Sequence, residues 1–318
     1  MRLVFCFIGV LAGAASAQGP SIDDFSGTWA MKIAGKNLFV LTLEVRQDVI
    51  QGTYARPDEY SMANTLFADM RGIRTDVVSQ GRFRGGAIHF IIQNAHDPSD
   101  KDMYVMRLCG DHAELVLEDL PPGTVITPRV FVRAPAGARV ATDWQPNRGY
   151  SASDSDVPNA DMTAIFDADQ KDRTSTPAQI DWAVVGKSDE ARREKTRKLL
   201  AAGALHTGKD YEHAAFVFQH GSSPEDYLLA HTLAMVAVTK GDATAIWIAA
   251  ATLDRYLQNI GRKQIFGTQF LTHEEGGRET WTQEPYDRAL VSDALRDQLG
   301  VPPQKIQEQQ LKAYAAMK

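Results

Sequence analysis

The chain has 318 residues, 44% of them hydrophobic and 23% charged. This length can bury sizeable packed cores and suggests two domains of ordinary size. Acidic residues number 40 against 34 basic ones, for a net charge of −6. Such mild acidity argues against nucleic acid or an anionic membrane surface as a partner.

The first 17 residues follow the three-part pattern of a cleavable export signal. A positive charge at Arg2 precedes an apolar run over residues 3–11, and a small-x-small cleavage site ends at Ala17. The apolar run is shorter than the roughly 18–20 residues that span a bilayer. We therefore expect cleavage near Ala17, a periplasmic or secreted protein, and no membrane insertion of the mature chain.

Cleavage at this position changes the cysteine chemistry of the protein. It removes Cys6 and leaves Cys109 as the single cysteine, so an internal disulfide is excluded although an exported protein could form one. Stability must then come from packed cores. We expect no cofactor, since ATP and nicotinamide cofactors are scarce outside the cytoplasm. The spacing of His206, His213 and His220 is too wide for one ion, so we expect no metal site either.

Residues 18–134 show the period-two alternation of β-strands. Apolar residues at 39, 41, 43 and 45 face one side, and later runs at 88–92, 104–108 and 113–117 repeat the pattern. Turn signals such as Gly85-Gly86 separate the runs. Several short strands with one polar face predict an antiparallel β-barrel or sandwich. Residues 57–78 lack the clear alternation, and we expect a long loop or insertion there.

The first strand carries Gly27-Thr28-Trp29, and on this motif the half resembles lipocalin-like small barrels, which open with a Gly-x-Trp strand. The resemblance covers roughly residues 24–134. It implies that Trp29 closes one end of the barrel, with Arg133 on the last strand as a partner for its ring. A small exported β-domain that uses Trp29 only as core remains the alternative.

Residues 135–161 are rich in Ala, Gly, Pro, Ser, Asp and Asn, which predicts a flexible linker. From residue 162 to 318 the period becomes 3.6, which predicts an all-α domain. Helix punctuation places helices at about 188–202, 209–221, 223–240 and 242–260. The very short turns between the last three predict antiparallel packing, as in tetratricopeptide-like helical hairpins.

Three of these helices place a polar group on an otherwise apolar face: Gln219, His231 and Asp254. Burying such groups without partners costs roughly 1–3 kcal/mol each, so we expect them to meet one another or a ligand. A histidine near an aspartate is the simplest acid–base pair. The alternative is a buried structural network that holds the helical hairpins together.

The second half resembles an uncharacterised bacterial family of domains of unknown function over about residues 162–314. The resemblance rests on Asp-Gln-x-x-Arg, Gln-His, Asp-Arg and Gln-x-x-Gly-Thr-Gln motifs in this order. It implies a shared fold and a shared polar cluster but no substrate. The residues that it carries over are Asp169, Gln170, Arg173, Gln219, His220, Asp254, Arg255, Gln264, Gly267, Thr268 and Gln269.

The basic run at residues 192–198 has a simpler interpretation. Asp189 stands four residues before Arg193, and Glu194 four before Lys198, as on a solvated helix face. We therefore expect this face to lie in water.

Two functions follow from these features. The first is an exported binding or interaction protein whose unknown small-molecule or protein partner uses the concave apolar surface of the β-domain. The second is a cofactor-free, hydrolase-type enzyme with His220 or His231 and Asp254 as acid–base pair. Its substrate would contact Asp169, Arg173, Gln219, Arg255, Gln264, Thr268 and Gln269. An open cleft at these residues favours the enzyme, and a sealed core disfavours it.

Overall fold

The structure, a computed structural model, describes residues 19–63, 65–118, 127–176, 179–275 and 278–316. The expected signal peptide, residues 1–17, lies outside the described residues. These residues form two compact units that meet at Ala152 and Ser153 in the sequence. Within the described ranges, every helix is too short or too polar to cross a membrane.

The first unit is a closed antiparallel barrel of eight strands in the order β1-β10-β9-β8-β7-β6-β3-β2. Neighbours in the barrel are also consecutive along the chain, apart from one excursion between β3 and β6 and the closing pair of β1 with β10. The strands of this unit are β1 (Gly27–Ile33), β2 (Lys36–Arg46), β3 (Val49–Arg56), β4 (Glu59–Ala63), β5 (Leu66–Arg71), β6 (Arg74–Arg84), β7 (Ala87–Gln93), β8 (Lys101–Cys109), β9 (His112–Leu117), β10 (Arg129–Arg133) and β11 (Tyr150–Ser151).

The predicted alternation accounts for the barrel core. Phe39, Leu41 and Leu43 of β2 are buried, whereas Glu44 between the apolar positions is exposed. Inward residues of all eight strands build one apolar cluster. Because successive side chains of a strand point to opposite faces, the period of two predicts which residues reach the interior.

The excursion between β3 and β6 corrects the expected loop at residues 57–78. It forms the hairpin of β4 and β5, and β11 pairs with β5 to complete a three-stranded sheet. Phe67 and Met70 of β5 are buried in the core of the unit. Their spacing of three conceals the strand alternation, because Asp69 between them has a positive φ of 52°.

The segment whose composition predicts a linker makes specific contacts in both units. In the first unit, the Tyr150 side chain is fully buried, and its hydroxyl accepts a hydrogen bond from the Gln145 backbone at 2.8 Å. In the second unit, Asn159 caps the first helix through its side chain. Residues 135–161 are therefore packed over part of their length, although their composition resembles that of a linker.

The second unit contains seven helices among its described residues, together with a two-stranded sheet. The expectation of an all-α domain is therefore wrong in one respect, the β12 and β13 hairpin. The elements are α1 (Ala160–Lys171), α2 (Trp182–Ala201), α3 (Gly208–Phe218), α4 (Pro224–Thr239), α5 (Ile246–Asn259), β12 (Leu271–Glu275), β13 (Arg278–Thr282), α6 (Asp293–Gln298) and α7 (Gln304–Ala316).

Helix starts follow the capping residues of the sequence. Ser223 accepts a hydrogen bond from the Asp226 backbone and precedes Pro224 at the first helical position. Asp242 caps a short 3-10 turn that leads into α5. The exception is α2, which begins at Trp182 instead of near residue 188 because Asp181 provides an earlier cap. Helices α3, α4 and α5 pack in sequence around a core of small and apolar side chains.

The first strand of the barrel confirms the expected contact between Trp29 and Arg133. The guanidinium carbon lies 4.1 Å from the centre of the indole ring, and the Trp29 Nε1 donates to the carbonyl of Phe25 at 2.9 Å. Arg133 also donates to the carbonyls of Ser26 and Asp24. The cation–π contact joins β10 to β1, and the two hydrogen bonds join β10 to the turn that precedes β1.

We predict that Arg133→Ala lowers the free energy of unfolding of the barrel by about 1–2 kcal/mol, because it removes the cation over Trp29 and two charged hydrogen bonds. Urea unfolding followed by tryptophan fluorescence measures the loss. Arg139→Ala, at an exposed position of the same unit, is the control and should change stability little. Equal stability of the two variants would contradict the role of this contact.

Candidate functional site

A cavity opens inside the barrel unit and is lined mainly by apolar side chains. Its volume is about 330 Å³, which lies at the lower end of the range of small-molecule sites. Met31, Phe67, Tyr104, Leu115, Leu117 and Arg129 contribute to its wall. Arg129 is the charged member of this set, and it lies at the first position of β10.

Arg129 is held by phenol hydroxyls and aromatic rings. Its two terminal nitrogens donate to the hydroxyls of Tyr54 and Tyr60, each at 2.8 Å. The guanidinium carbon lies 4.8 Å from the centre of the Phe39 ring. Among the described residues, no carboxylate oxygen comes within 4.0 Å of the guanidinium. The guanidinium of Arg129 is thus a positive charge that no carboxylate of the described residues pairs with.

The groups around Arg129 keep its guanidinium protonated. Burial alone would lower the pKa of Arg129, but the nearby hydroxyls of Tyr54, Tyr60 and Tyr104 outweigh burial and raise it. Burial raises the pKa of Tyr54 and of Tyr104 above the usual value for a phenol. Arg129 is therefore a cation, and Tyr54 and Tyr104 are neutral, at any physiological pH.

A second, smaller cavity of about 80 Å³ adjoins the first, since Arg129 and Tyr104 line both. Its wall is polar and includes Asp76, which pairs with Arg56 at 2.9 Å and Arg74 at 3.0 Å. In contrast to Arg129, the other two arginines of this cavity, Arg56 and Arg74, have an acidic partner. Among the described residues that line the two cavities, Arg129 is thus an arginine without a carboxylate oxygen within 4.0 Å.

In the second unit, Asp254 organises the loop that follows α5. One carboxylate oxygen accepts the backbone N–H groups of Ile265 and Phe266 at 2.7 and 3.0 Å. The other accepts the backbone N–H and the hydroxyl of Thr268 at 3.0 and 2.8 Å. Asp254 is fully buried, and these four donors satisfy its lone pairs. It acts as an anchor for residues 264–269.

Gln264 and Gln269 continue this network inside the unit. The Gln264 amide nitrogen donates to the carbonyl of Gln269 at 2.9 Å, and its oxygen accepts the Gln269 backbone N–H at 3.0 Å. Gly267 has a φ of 82°, and a Cβ there would lie 2.0 Å from the side-chain oxygen of Gln307. The loop therefore needs glycine at this position. The side-chain amide of Gln264 is hydrogen-bonded to protein groups.

Charged residues of α1, of the turn that follows it and of α2 form a second network. Arg173 donates to Asp169 at 3.0 Å and to Asp189 at 2.6 Å, and Arg192 donates to Asp189 at 2.8 Å. Arg192 and Arg193 are only 9% and 7% exposed, so the solvated face expected for the basic run is wrong at these two residues. The expected pair of Glu194 and Lys198 does form on the exposed side, at 3.5 Å.

His220 lies at the edge of this network. Its Nε2 is 3.6 Å from a carboxylate oxygen of Asp169. Burial, together with the positive charges of Arg173 and Arg255, lowers the pKa of His220 to about 3. Burial raises the pKa of Asp169 to about 6. The imidazole is therefore neutral at neutral pH and is a poor proton donor there.

Arg255 connects the loop after α5 to Gln219, the residue before His220. Its Nε donates to the side-chain oxygen of Gln269 at 2.9 Å, and one terminal nitrogen donates to the backbone carbonyl of Gln219 at 2.7 Å. The predicted site residues of the helical domain thus come together, with His231 apart from them. Its Nδ1 lies 2.8 Å from the carbonyl of Ala249.

The expected acid–base pair with Asp254 does not form. His220 faces Asp169, and His231 faces a backbone carbonyl. The four hydrogen bonds that Asp254 accepts from its loop leave it no lone pair for an imidazole.

Sequence reasoning missed the residues that complete each network. In the helical unit these are Asp189 and Arg192 of the charged network. Tyr286, Arg296 and Gln307 donate to the backbone carbonyl of Phe266, and the carbonyl of Gln283 accepts from Gln264. In the barrel they are Tyr54, Tyr60, Tyr104 and Arg129. One signal could have found Arg129: it stands two positions before the buried Phe131, on the inward side of a strand. The others become neighbours only through tertiary packing.

Comparison of the chain with models of protein families, with curated proteins and with solved structures finds no match to any of them.

We predict that Asp254→Asn lowers the free energy of unfolding of the second unit by about 3 kcal/mol, because the new amide group faces donors instead of accepting from them. Thermal unfolding measured by circular dichroism detects the loss. Asp167→Asn, at an exposed position on α1, is the control and should leave the transition nearly unchanged. A variant of Asp254 that melts like the control would rule out its role as an anchor.

A second prediction concerns pH and His220. Because its folded pKa of about 3 lies below the ordinary 6.5, the unfolded chain gains a proton first as pH falls, so His220 favours folding less at low pH. Asp169 has the opposite effect between its ordinary 3.8 and about 6. His220→Gln removes only the first effect. We therefore expect the stability advantage of wild type over this variant to shrink as pH falls through 6.5.

Urea unfolding at a series of pH values measures this difference. His273→Gln, at an exposed histidine of the same unit, is the control and should change stability little. If the stability difference between wild type and His220→Gln stayed constant across the pH range, His220 would have the same pKa in the folded and unfolded chain. That result would contradict the prediction.

Proposed function

We propose that this chain is an exported binding protein whose barrel holds a small amphiphilic molecule with an acidic head group. The observation that carries the proposal is Arg129, a cation on the wall of an apolar cavity with no carboxylate partner among the described residues. A ligand anion would replace the water that the guanidinium has lost. Support for export comes from the signal-like pattern of the first 17 residues.

The chemistry of the cavity defines the ligand class. The cavity of about 330 Å³ has an apolar wall. This wall favours a ligand with an alkyl or ring body, because binding buries the apolar surface of that ligand. Arg129 offers a planar, permanently charged fork that matches a carboxylate or another oxyanion, and Tyr54 and Tyr60 hold that fork in position. A fatty acid or a related apolar acid combines both features.

We also propose that the barrel belongs to the lipocalin-like type. The Gly27-Thr28-Trp29 motif on β1, the pairing of consecutive strands and the contact of Arg133 with Trp29 support this interpretation. For the second unit we keep the proposal of tetratricopeptide-like hairpins over α3 to α5, and of kinship with the uncharacterised bacterial family. In this function the second unit presents a surface to a partner, since the amide and carboxylate groups of its networks are occupied internally.

The alternative of a hydrolase-type enzyme has weaker support. Asp254 and Gln264 are fully buried and Gln269 nearly so, which is a sealed arrangement instead of an open cleft. The neutral His220 beside Asp169 is the remaining feature that an acid–base mechanism could use. Binding in the barrel requires no chemistry of this kind.

We predict that the protein binds decanoate in the barrel and that Arg129→Met weakens this binding by roughly tenfold or more, the effect of one lost charge-assisted hydrogen bond. The uncharged alcohol decan-1-ol should bind wild type and variant within about threefold of each other. Isothermal titration calorimetry on the full chain measures both ligands. Arg84→Met, at an exposed position of β6, is the control and should bind decanoate like wild type.

The outcomes separate the parts of the proposal. Binding of neither ligand to wild type rejects the barrel as an amphiphile site. Equal loss of acid and alcohol in Arg129→Met assigns the residue a structural role and rejects recognition of the head group. Arg129→Lys tests geometry, because it keeps the charge and loses the fork, and we expect an intermediate affinity for decanoate.

A further inference from the structure

The hairpin of β8 and β9 brings three different metal-ligating side chains together. Cys109 ends β8, and His112 begins β9, so a two-residue turn separates them and they pair directly across the strands. Glu114 follows two positions after His112 and therefore lies on the same face of the strand. One ligand atom from each residue lies within 4.8 Å of the other two.

The face of these residues is the outer surface of the barrel. The alternate residues Ala113 and Leu115 are buried in the barrel core, so His112 and Glu114 point away from it. The Cys109 side chain is mostly covered, whereas His112 and Glu114 are partly exposed. An ion could therefore reach the three ligand atoms from solvent without opening the barrel.

We propose that Cys109, His112 and Glu114 form a binding site for a Zn²⁺ ion with one coordination position left for water. A thiolate, an imidazole and a carboxylate are the protein ligands that Zn²⁺ accepts, and three ligands with an open fourth position are a common arrangement. Bond lengths of about 2.0–2.3 Å place tetrahedral ligand atoms roughly 3.5 Å apart. The hairpin therefore needs only side-chain rotations to contract around the ion.

Two features of the hairpin favour such a contraction. The turn contains Gly110 with a φ of 68°, so the close approach of the strand ends costs little backbone strain. The Asp111 carboxylate lies 3.0 Å from the Nδ1 of His112, and a carboxylate of this kind orients a metal-bound imidazole. Binding converts the Cys109 thiol to a thiolate, with its proton released to solvent.

One neighbour opposes the ion. Arg107 pairs with Glu114 across the strands and shares its face. Arg107 is exposed, and among the described residues no ion pair within 4.0 Å joins its guanidinium to the Glu114 carboxylate. Because its long side chain can move into water, Arg107 lowers the affinity of the site without blocking it.

Cobalt provides the test, because tetrahedral Co²⁺ replaces Zn²⁺ and absorbs visible light, and a thiolate ligand adds a charge-transfer band. Co²⁺ titrated into the chelator-treated full chain should give both signals with one ion bound per chain, and Zn²⁺ should abolish them. Cys109→Ser should remove the charge-transfer band. After cleavage near Ala17, Cys109 is the single cysteine of the chain, so the band then reports this residue alone.

Two variants on the outer face test the remaining ligands with little risk to folding. His112→Ala and Glu114→Gln should each weaken Co²⁺ binding by roughly tenfold or more. His96→Ala and Glu44→Gln, at exposed positions of the same unit, should leave it unchanged. A wild-type titration without a charge-transfer band, or one that Cys109→Ser leaves intact, overturns the proposal.

Discussion

A charged side chain that leaves water loses several kcal/mol of hydration free energy unless other groups replace that water. In the second unit, protein hydrogen-bond donors replace this water around the buried carboxylates of Asp254, Asp169 and Asp189. Asp254 takes four donors from one loop, and Asp169 and Asp189 share the guanidinium of Arg173. In the first unit, Arg129 receives tyrosine hydroxyls and ring faces but no opposite charge from the described residues. Protein groups thus meet this requirement in the second unit, whereas in the first unit Arg129 has no anionic partner among the described residues.

The closed barrel fixes the positions of the side chains around Arg129. Pairing of β1 with β10 leaves no free sheet edge in the barrel, so its backbone groups are satisfied within it. The inward face of each strand can then be apolar without exposing a surface to aggregation. A cavity of about 330 Å³ remains among these side chains. The barrel therefore holds Arg129, Tyr54 and Tyr60 in position. For the binding function that we propose, such preorganisation reduces the entropy cost of binding.

Local rules predicted much of this fold. The alternation of β2, the turn signals between strands, and the caps at Ser223 and Asp242 involve residues within a few positions of one another. Composition was less reliable, since residues 135–161 resemble a linker and yet include the buried Tyr150. A single residue with positive φ, Asp69, was enough to conceal a strand. Propensity describes an average environment, and tertiary contacts decide each individual case.

The sequence by itself determined the two kinds of periodicity, the positions of most turns and caps, and the set of polar residues on the helix faces. Only the tertiary structure decided which of those residues meet. It separated His231 from Asp254, gave Asp169 to His220, and placed Arg129 beside Tyr54. The reason is that periodicity reports the direction of a side chain from its own helix or strand, whereas its partner can lie far away in the chain, 75 residues away for Arg129 and Tyr54.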